Sequence, residues 1–207
     1  VPKVPGPVRS LMPLGPGRLL ILGEVYELGH VMPVNGLDYI NVVDTDDGTT
    51  DRQFEMIKPL EVTQVVKVNP EAVLVSAEYA GVVRWNTRDM YGEDWRYRSD
   101  APMFMAVGPK GRAITVSRDG RGLQLLDIDK GAPVSGSFLE RTALGNPVYI
   151  SGKFYVPVTG GIAVLDDDLA ETGFIAVEAI AVSGRILQAA GGAYLVSESG
   201  IFWFDVR

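Results

Sequence analysis

The sequence predicts an all-β chain made of five copies of one four-stranded antiparallel unit, and three marks that recur in a common phase predict it. The first is an apolar segment. Ala72-Val73-Leu74-Val75-Ser76, Ala113-Ile114-Thr115-Val116-Ser117, Lys153-Phe154-Tyr155-Val156-Pro157 and Ala193-Tyr194-Leu195-Val196-Ser197 align, and their fourth positions are separated by 41, 40 and 40 residues. The second is a strand ending on a short polar side chain: Val42-Val43-Asp44, Arg84-Trp85-Asn86, Leu125-Leu126-Asp127, Val164-Leu165-Asp166 and Trp203-Phe204-Asp205, stepping by 42, 41, 39 and 39. The third is a turn rich in Gly or Pro before each apolar segment: Gly15-Pro16-Gly17, Asn69-Pro70-Glu71, Gly108-Pro109-Lys110-Gly111, Ser151-Gly152 and Gly191-Gly192. Such residues supply the backbone angles that tight hairpins require.

Taken in order, unit one starts near Val8 and carries Arg18-Leu19-Leu20-Ile21-Leu22 as its apolar segment, 54 residues before Val75, so it holds an insertion of about 13 residues. Unit two is expected to place strands near 62–68, 72–78, 82–86 and 95–99, and units three and four follow by the period. The runs are short, β-branched or aromatic, and bounded by turn residues, which is the pattern of strands rather than helices. Inner strands are continuously apolar because both faces are covered, whereas the outer Trp95-Arg96-Tyr97-Arg98 alternates with charge. Unit five ends at Arg207 after its third strand, so residues 1–7 are expected to act as its outer strand. Pro2, Pro5 and Pro7 are tolerable there because an outer edge needs no full ladder. Four short strands in about 40 residues make one propeller blade, and the expectation is one domain, residues 1–207, forming a five-bladed β-propeller closed by the N-terminal segment.

The rhythm of an apolar run, a glycine and then Val-x-Asp resembles the β-propeller superfamily, and is similar to propellers of the YVTN and LVIVD repeat type. The Trp-Asp and Gly-His pairs of WD40 repeats, the repeated Asp-box and the kelch double glycine are absent, and no catalytic motif carries over. Function has to be argued from sites.

Composition bounds those sites. Hydrophobic residues make up 46% and charged residues 22%, a globular balance. Nineteen Lys and Arg against 26 Asp and Glu give −7, and the scattered basic residues argue against nucleic acid as a partner. The absence of cysteine excludes disulfides, thiol nucleophiles and Cys-based metal sites. No apolar run approaches a membrane span, and the start Val1-Pro2-Lys3-Val4-Pro5 is not that of a signal peptide. No cofactor is implied.

The repeated Asp44, Asn86, Asp127, Asp166 and Asp205 read as turn-closing side chains rather than metal ligands. Asp44-Thr45-Asp46-Asp47-Gly48 is the most calcium-like stretch, yet it lacks an oxygen side chain at Gly48 and a glutamate at the twelfth position. The single histidine, His30, lies in the insertion of unit one and has no G-x-S-x-G elbow to serve. Asp100 and Glu140 stand at equivalent positions, each 16 residues before its reference valine, on the face that collects loops. Two such acids are what a glycoside hydrolase would need.

The most distinctive stretch runs from Trp85 to Arg98. Trp85, Arg88, Tyr91, Trp95, Arg96 and Tyr97 are the residue types enriched at interface cores, and they are the expected partner-binding set. The leading expectation is a non-enzymatic propeller that engages a protein partner within a larger assembly such as a virion or surface complex. The alternative is a propeller that binds or hydrolyses a glycan.

Overall fold

The computed structural model describes residues 8–25, 37–55, 62–78, 80–88, 93–99, 101–118, 120–177 and 184–206, and every regular element among them is a β-strand. Accordingly, no helix of the described residues is long and apolar enough to cross a membrane. Blade 1 comprises β1 (Val8–Gly15), β2 (Arg18–Val25), β3 (Leu37–Asp44) and β4 (Thr50–Glu55). Blade 2 comprises β5 (Val62–Asn69), β6 (Ala72–Ala77), β7 (Gly81–Asn86) and β8 (Glu93–Tyr97). In blade 3 these are β9 (Met103–Val107), β10 (Arg112–Ser117), β11 (Gly122–Asp127) and β12 (Pro133–Phe138). In blade 4 they are β13 (Val148–Ile150), β14 (Lys153–Val158), β15 (Gly161–Leu165) and β16 (Glu171–Ala176). Blade 5 has β17 (Gly184–Ala189), β18 (Gly192–Ser197) and β19 (Gly200–Asp205). Each sheet is an antiparallel meander in chain order, four-stranded in blades 1 to 4 and three-stranded among the described residues of blade 5. The predicted strands of unit two agree with the observed ones to within about two residues, the usual play in strand ends.

The repeated marks fall where the chain turns. In blade 4 the two residues joining β13 to β14, Ser151 and Gly152, have φ of 50° and 84°, the paired positive angles of a two-residue hairpin turn. Gly81 opens β7 at φ 77°, and a Cβ there would lie 2.1 Å from the carbonyl oxygen of Tyr97. Only glycine lets the outer strand come so close.

The chain divides into two compact units, Val1–Asp100 with blades 1 and 2 and Ala101–Arg207 with blades 3 to 5. In the first, Leu14, Leu20, Leu22, Ile40 and Val42 of blade 1 pack on Val62, Val73 and Val75 of blade 2. The Arg18 guanidinium adds a fork, donating at 3.1 Å to the carbonyl oxygens of both Pro70 and Thr87 in blade 2. In the second unit, blade 4 is covered on both sides. Phe154 and Val156 face Ile114, Val116 and Leu125 of blade 3, whereas Tyr155, Ile162 and Val164 face Ile186, Leu195 and Phe204 of blade 5. Alternate residues of β14 thus serve two cores, which is why that strand carries an unbroken apolar run. Each fully buried aliphatic or aromatic side chain contributes about 1.5–3 kcal/mol.

The insertion predicted in unit one, with His30, falls on residues 26–36, and the proposed closing strand falls on residues 1–7. Both lie outside the described residues.

Candidate functional site

Blade 2 carries the partner-binding set expected from the sequence. β8 pairs with β7 in the register Val82 to Tyr97, Val83 to Arg96 and Arg84 to Trp95, with a bulge before Trp85. The alternation is as expected: Trp95 and Tyr97 are half-buried on one face, and Arg96 is exposed on the other. Trp85 is not on that surface, because its half-buried ring packs against the core shared by blades 1 and 2. Tyr91 lies outside the described residues.

The arginines of this region have carboxylate partners inside the blade. Arg84 is ion-paired with Asp94. Arg96 forks onto Glu93, with Nη2 to Oε2 at 2.5 Å and Nε to Oε1 at 3.2 Å. Arg88 reaches Glu71 at 2.7 Å while its side chain stays 65% exposed. The exposed pairs of Arg88 and Arg96 add little stability, but they restrict where the guanidinium groups point.

Four of the five repeated short polar side chains, those of Asp44, Asn86, Asp127 and Asp166, serve their own turns. Oδ1 of Asp44 accepts from the Asp46 amide at 2.8 Å, and Oδ1 of Asn86 from the Arg88 amide at 2.9 Å. Oδ1 of Asp127 accepts from the amides of Asp129 and Lys130, and Oδ1 of Asp166 from those of Asp168 and Ala170. In the calcium-like stretch, Asp47 Oδ1 also accepts from the Thr49 amide at 2.7 Å, and hydrogen bonds from Thr49 hold the Asp47 carboxyl below the usual carboxylate range. Among the described residues no cluster of three or more His, Cys, Asp or Glu side chains could hold a metal ion.

Of the two candidate acids, Asp100 lies outside the described residues. Glu140 is exposed and 3.4 Å from Arg141, whose guanidinium also lies over the Phe174 ring, 3.8 Å from its centroid, and 3.5 Å from Glu171.

Two features of blade 5 had no separate signal in the sequence. The first is an exposed apolar row. Leu187 pairs with Tyr194 and Tyr194 with Trp203 across three strands, and these side chains are 44%, 41% and 51% exposed. The Tyr194 and Trp203 rings meet edge to face at 4.8 Å. The second is an open cleft of about 420 Å³ lined by Lys153, Tyr155, Val164, Gly173 and Ile175 of blade 4 and by Asp205 at the end of β19. Burial, and secondarily the charge of Asp205, pushes the Tyr155 phenol above its ordinary pKa, so it faces the cleft as a neutral hydroxyl at pH 7.

No family model matches the chain, and no curated protein matches it in sequence. Solved structures match in fold. Sqt1 of Saccharomyces cerevisiae superposes with a TM-score of 0.70 at 12% identity, over 97% of this chain and 58% of that one. The WD40 domain of Neurospora crassa Pan2 gives 0.68 at 10% identity, over 96% and 60%. The β-propeller domain of Cps50 (Swd1) from Myceliophteria thermophila gives 0.68 at 12% identity, over 97% and 69%. The chain spans about three fifths of the Sqt1 and Pan2 chains, and 21% of Chaetomium thermophilum Raptor, which it matches at a TM-score of 0.67. At these identities the likeness is one of architecture, and together with the five repeated meanders it makes the chain a five-bladed β-propeller.

Proposed function

We propose that this propeller is a non-enzymatic interaction module that binds a protein partner within a larger assembly, through the outer strand of blade 2. The observation that carries the reading is β8, an outermost strand on which Trp95 and Tyr97 are only half-buried, with the Glu93-bound Arg96 on its other face and Arg88 exposed just after β7. Tryptophan, tyrosine and arginine are the residue types enriched in interface hot spots. Tyr91 precedes β8 in the sequence and is included in the proposed set for its residue type, and Trp85 packs in the core shared by blades 1 and 2. The turn-bound aspartates and the Glu140 to Arg141 pair offer no comparable argument for a glycan.

The test places a photo-crosslinking residue at the exposed Arg98 of the full chain in cells that express it. A discrete protein adduct is expected, a second copy of this chain being one form of it. Trp95→Ala and Tyr91→Ala should each weaken it by about 2 kcal/mol, measured on the isolated complex, with the melting temperature nearly unchanged. An adduct indifferent to both changes, or none at all, would overturn the reading.

A further inference from the structure

We propose that blade 3 carries a self-association site, at which the outer strand β12 pairs antiparallel with β12 of a second copy of this chain, about a two-fold axis through Gly136. The site does not involve blade 2, so this reading and the preceding one stand or fall separately.

An outer strand ends its sheet, and an unprotected edge is a template for another strand. Three of the four outer strands described carry charged side chains that discourage such pairing: Asp51 and Arg52 in β4, Glu93 and Arg96 in β8, and Glu171 in β16. β12, Pro-Val-Ser-Gly-Ser-Phe, has none. Among the described residues it pairs with β11 alone, and all of it but the half-buried Ser137 is exposed. Phe138, 81% exposed, is the most exposed large apolar side chain described, and Val134 on the same strand is 48% exposed. The backbone is set for a further partner. The Leu139 amide donates to the Arg121 carbonyl at 2.8 Å, and in an antiparallel strand the N–H and C=O of every second residue point to the same side. Ser137 and Leu139 therefore face β11, whereas the N–H and C=O of Gly136 and Phe138 point outward. Pro133, which has no N–H, lies beyond the register shift that sets it opposite Leu126, so it does not interrupt this stretch.

The occupant that fits this edge is the same strand. With Gly136 opposite Gly136 in antiparallel register, the outward-pointing groups of one copy meet those of the other, Val134 of each copy stands opposite Phe138 of the other, and Ser135 stands opposite Ser137. One face then carries an apolar pair on either side of two glycines, and the opposite face carries serine pairs. Ser135 and Ser137 lie opposite Leu125 and Leu123, whose side chains pack toward blade 4, so the apolar pairs form on the face turned from blade 4. The ends agree with the middle. Antiparallel pairing brings the turn that carries the exposed Lys130 beside the far end of the second β12, where the exposed Glu140 follows, and the two-fold axis repeats that opposite-charge contact. Such an interface is isologous, so it closes at two copies and joins two four-stranded blades into one continuous sheet.

Sedimentation velocity of the full chain, run up to about 1 mM protein, is expected to show a reversible equilibrium between one copy and two. Phe138→Lys changes a side chain so exposed that a single copy loses little packing. It should raise the dissociation constant tenfold or more and leave the melting temperature of dilute protein unchanged. Register is read separately. The chain has no cysteine, so Val134→Cys and Phe138→Cys each introduce one thiol. A short bis-maleimide should join the two variants to each other when they are mixed, and neither to itself, because like positions stand about 14 Å apart along the paired strands. The proposal is overturned by a chain that stays monomeric, by a dimer indifferent to Phe138→Lys, or by cross-links that form as readily within one variant as between the two. A dimer lost with Trp95→Ala and kept with Phe138→Lys also overturns it, and assigns the association to blade 2 instead.

Discussion

At Asp166 one carboxylate oxygen closes the connection between two strands of blade 4. Its Oδ1 accepts from the amides of Asp168 at 3.0 Å and Ala170 at 2.9 Å, while its own amide donates to the Ala170 carbonyl at 3.0 Å. What the turn uses is an acceptor in the right place, not a charge, and blade 2 demonstrates this by doing the same with Asn86. Asp166→Asn is therefore expected to change stability by less than about 0.5 kcal/mol, and Asp166→Ala to lower it by about 1 kcal/mol, read from urea unfolding. Equal losses from both substitutions would mean that the charge matters, and would reopen the metal reading. This role was legible without coordinates because it is local: the acceptor and the amides it serves lie within four residues of one another. The ion pairs of Arg96 and Arg88 were not, since their carboxylates are selected by rotamer and register rather than by spacing alone.

An outer strand or hairpin is held by what the next blade offers it. Gly108, at the turn from β9 to β10, illustrates the tolerance: a Cβ at this position would stand 2.4 Å from Cζ of Phe154, which is fully buried in the core between blades 3 and 4. Phe154 is further confined by Tyr149, with ring centroids 4.8 Å apart. Gly108→Ala should accordingly cost about 1–3 kcal/mol by overpacking, and combining it with Phe154→Leu should recover part of that loss in a double-mutant cycle. Additive effects of the two substitutions would show that the contact is not the cause. Elements also show where sequence reading stops. β15, Gly-Ile-Ala-Val-Leu, and β19, Gly-Ile-Phe-Trp-Phe, have the same apolar rhythm, yet β15 is buried throughout and only Phe204 of β19 is. Blade 4 lies between blades 3 and 5, so both faces of its sheet are covered. In blade 5 the face turned from blade 4 leaves Leu187, Tyr194, Ile201 and Trp203 exposed.

At the scale of the whole molecule, Tyr149 and Tyr155 link stability to pH. Burial is the main cause that raises both phenols above their ordinary pKa near 10, reinforced by the Asp167 carboxylate, which accepts from the Tyr149 hydroxyl at 2.9 Å, and by Asp205 near Tyr155. Because the folded values exceed the unfolded ones, their contribution is complete below pH 10. It declines as the pH rises through the ordinary phenol value toward the raised ones. Thermal melts between pH 8 and about 11 should show this loss, and Tyr155→Phe should flatten it. An unchanged slope would remove Tyr155 from the explanation. The five repeats, the strands of unit two and the turn-closing aspartates were determined by the sequence itself, because periodicity, turn chemistry and alternation act over a few neighbouring residues. Which apolar faces are covered, how Arg18 reaches from one blade into the next and where the cleft beside Asp205 opens were decided only by the tertiary structure. Those outcomes depend on which blade stands next to which, and residues tens of positions apart must be brought together before they exist.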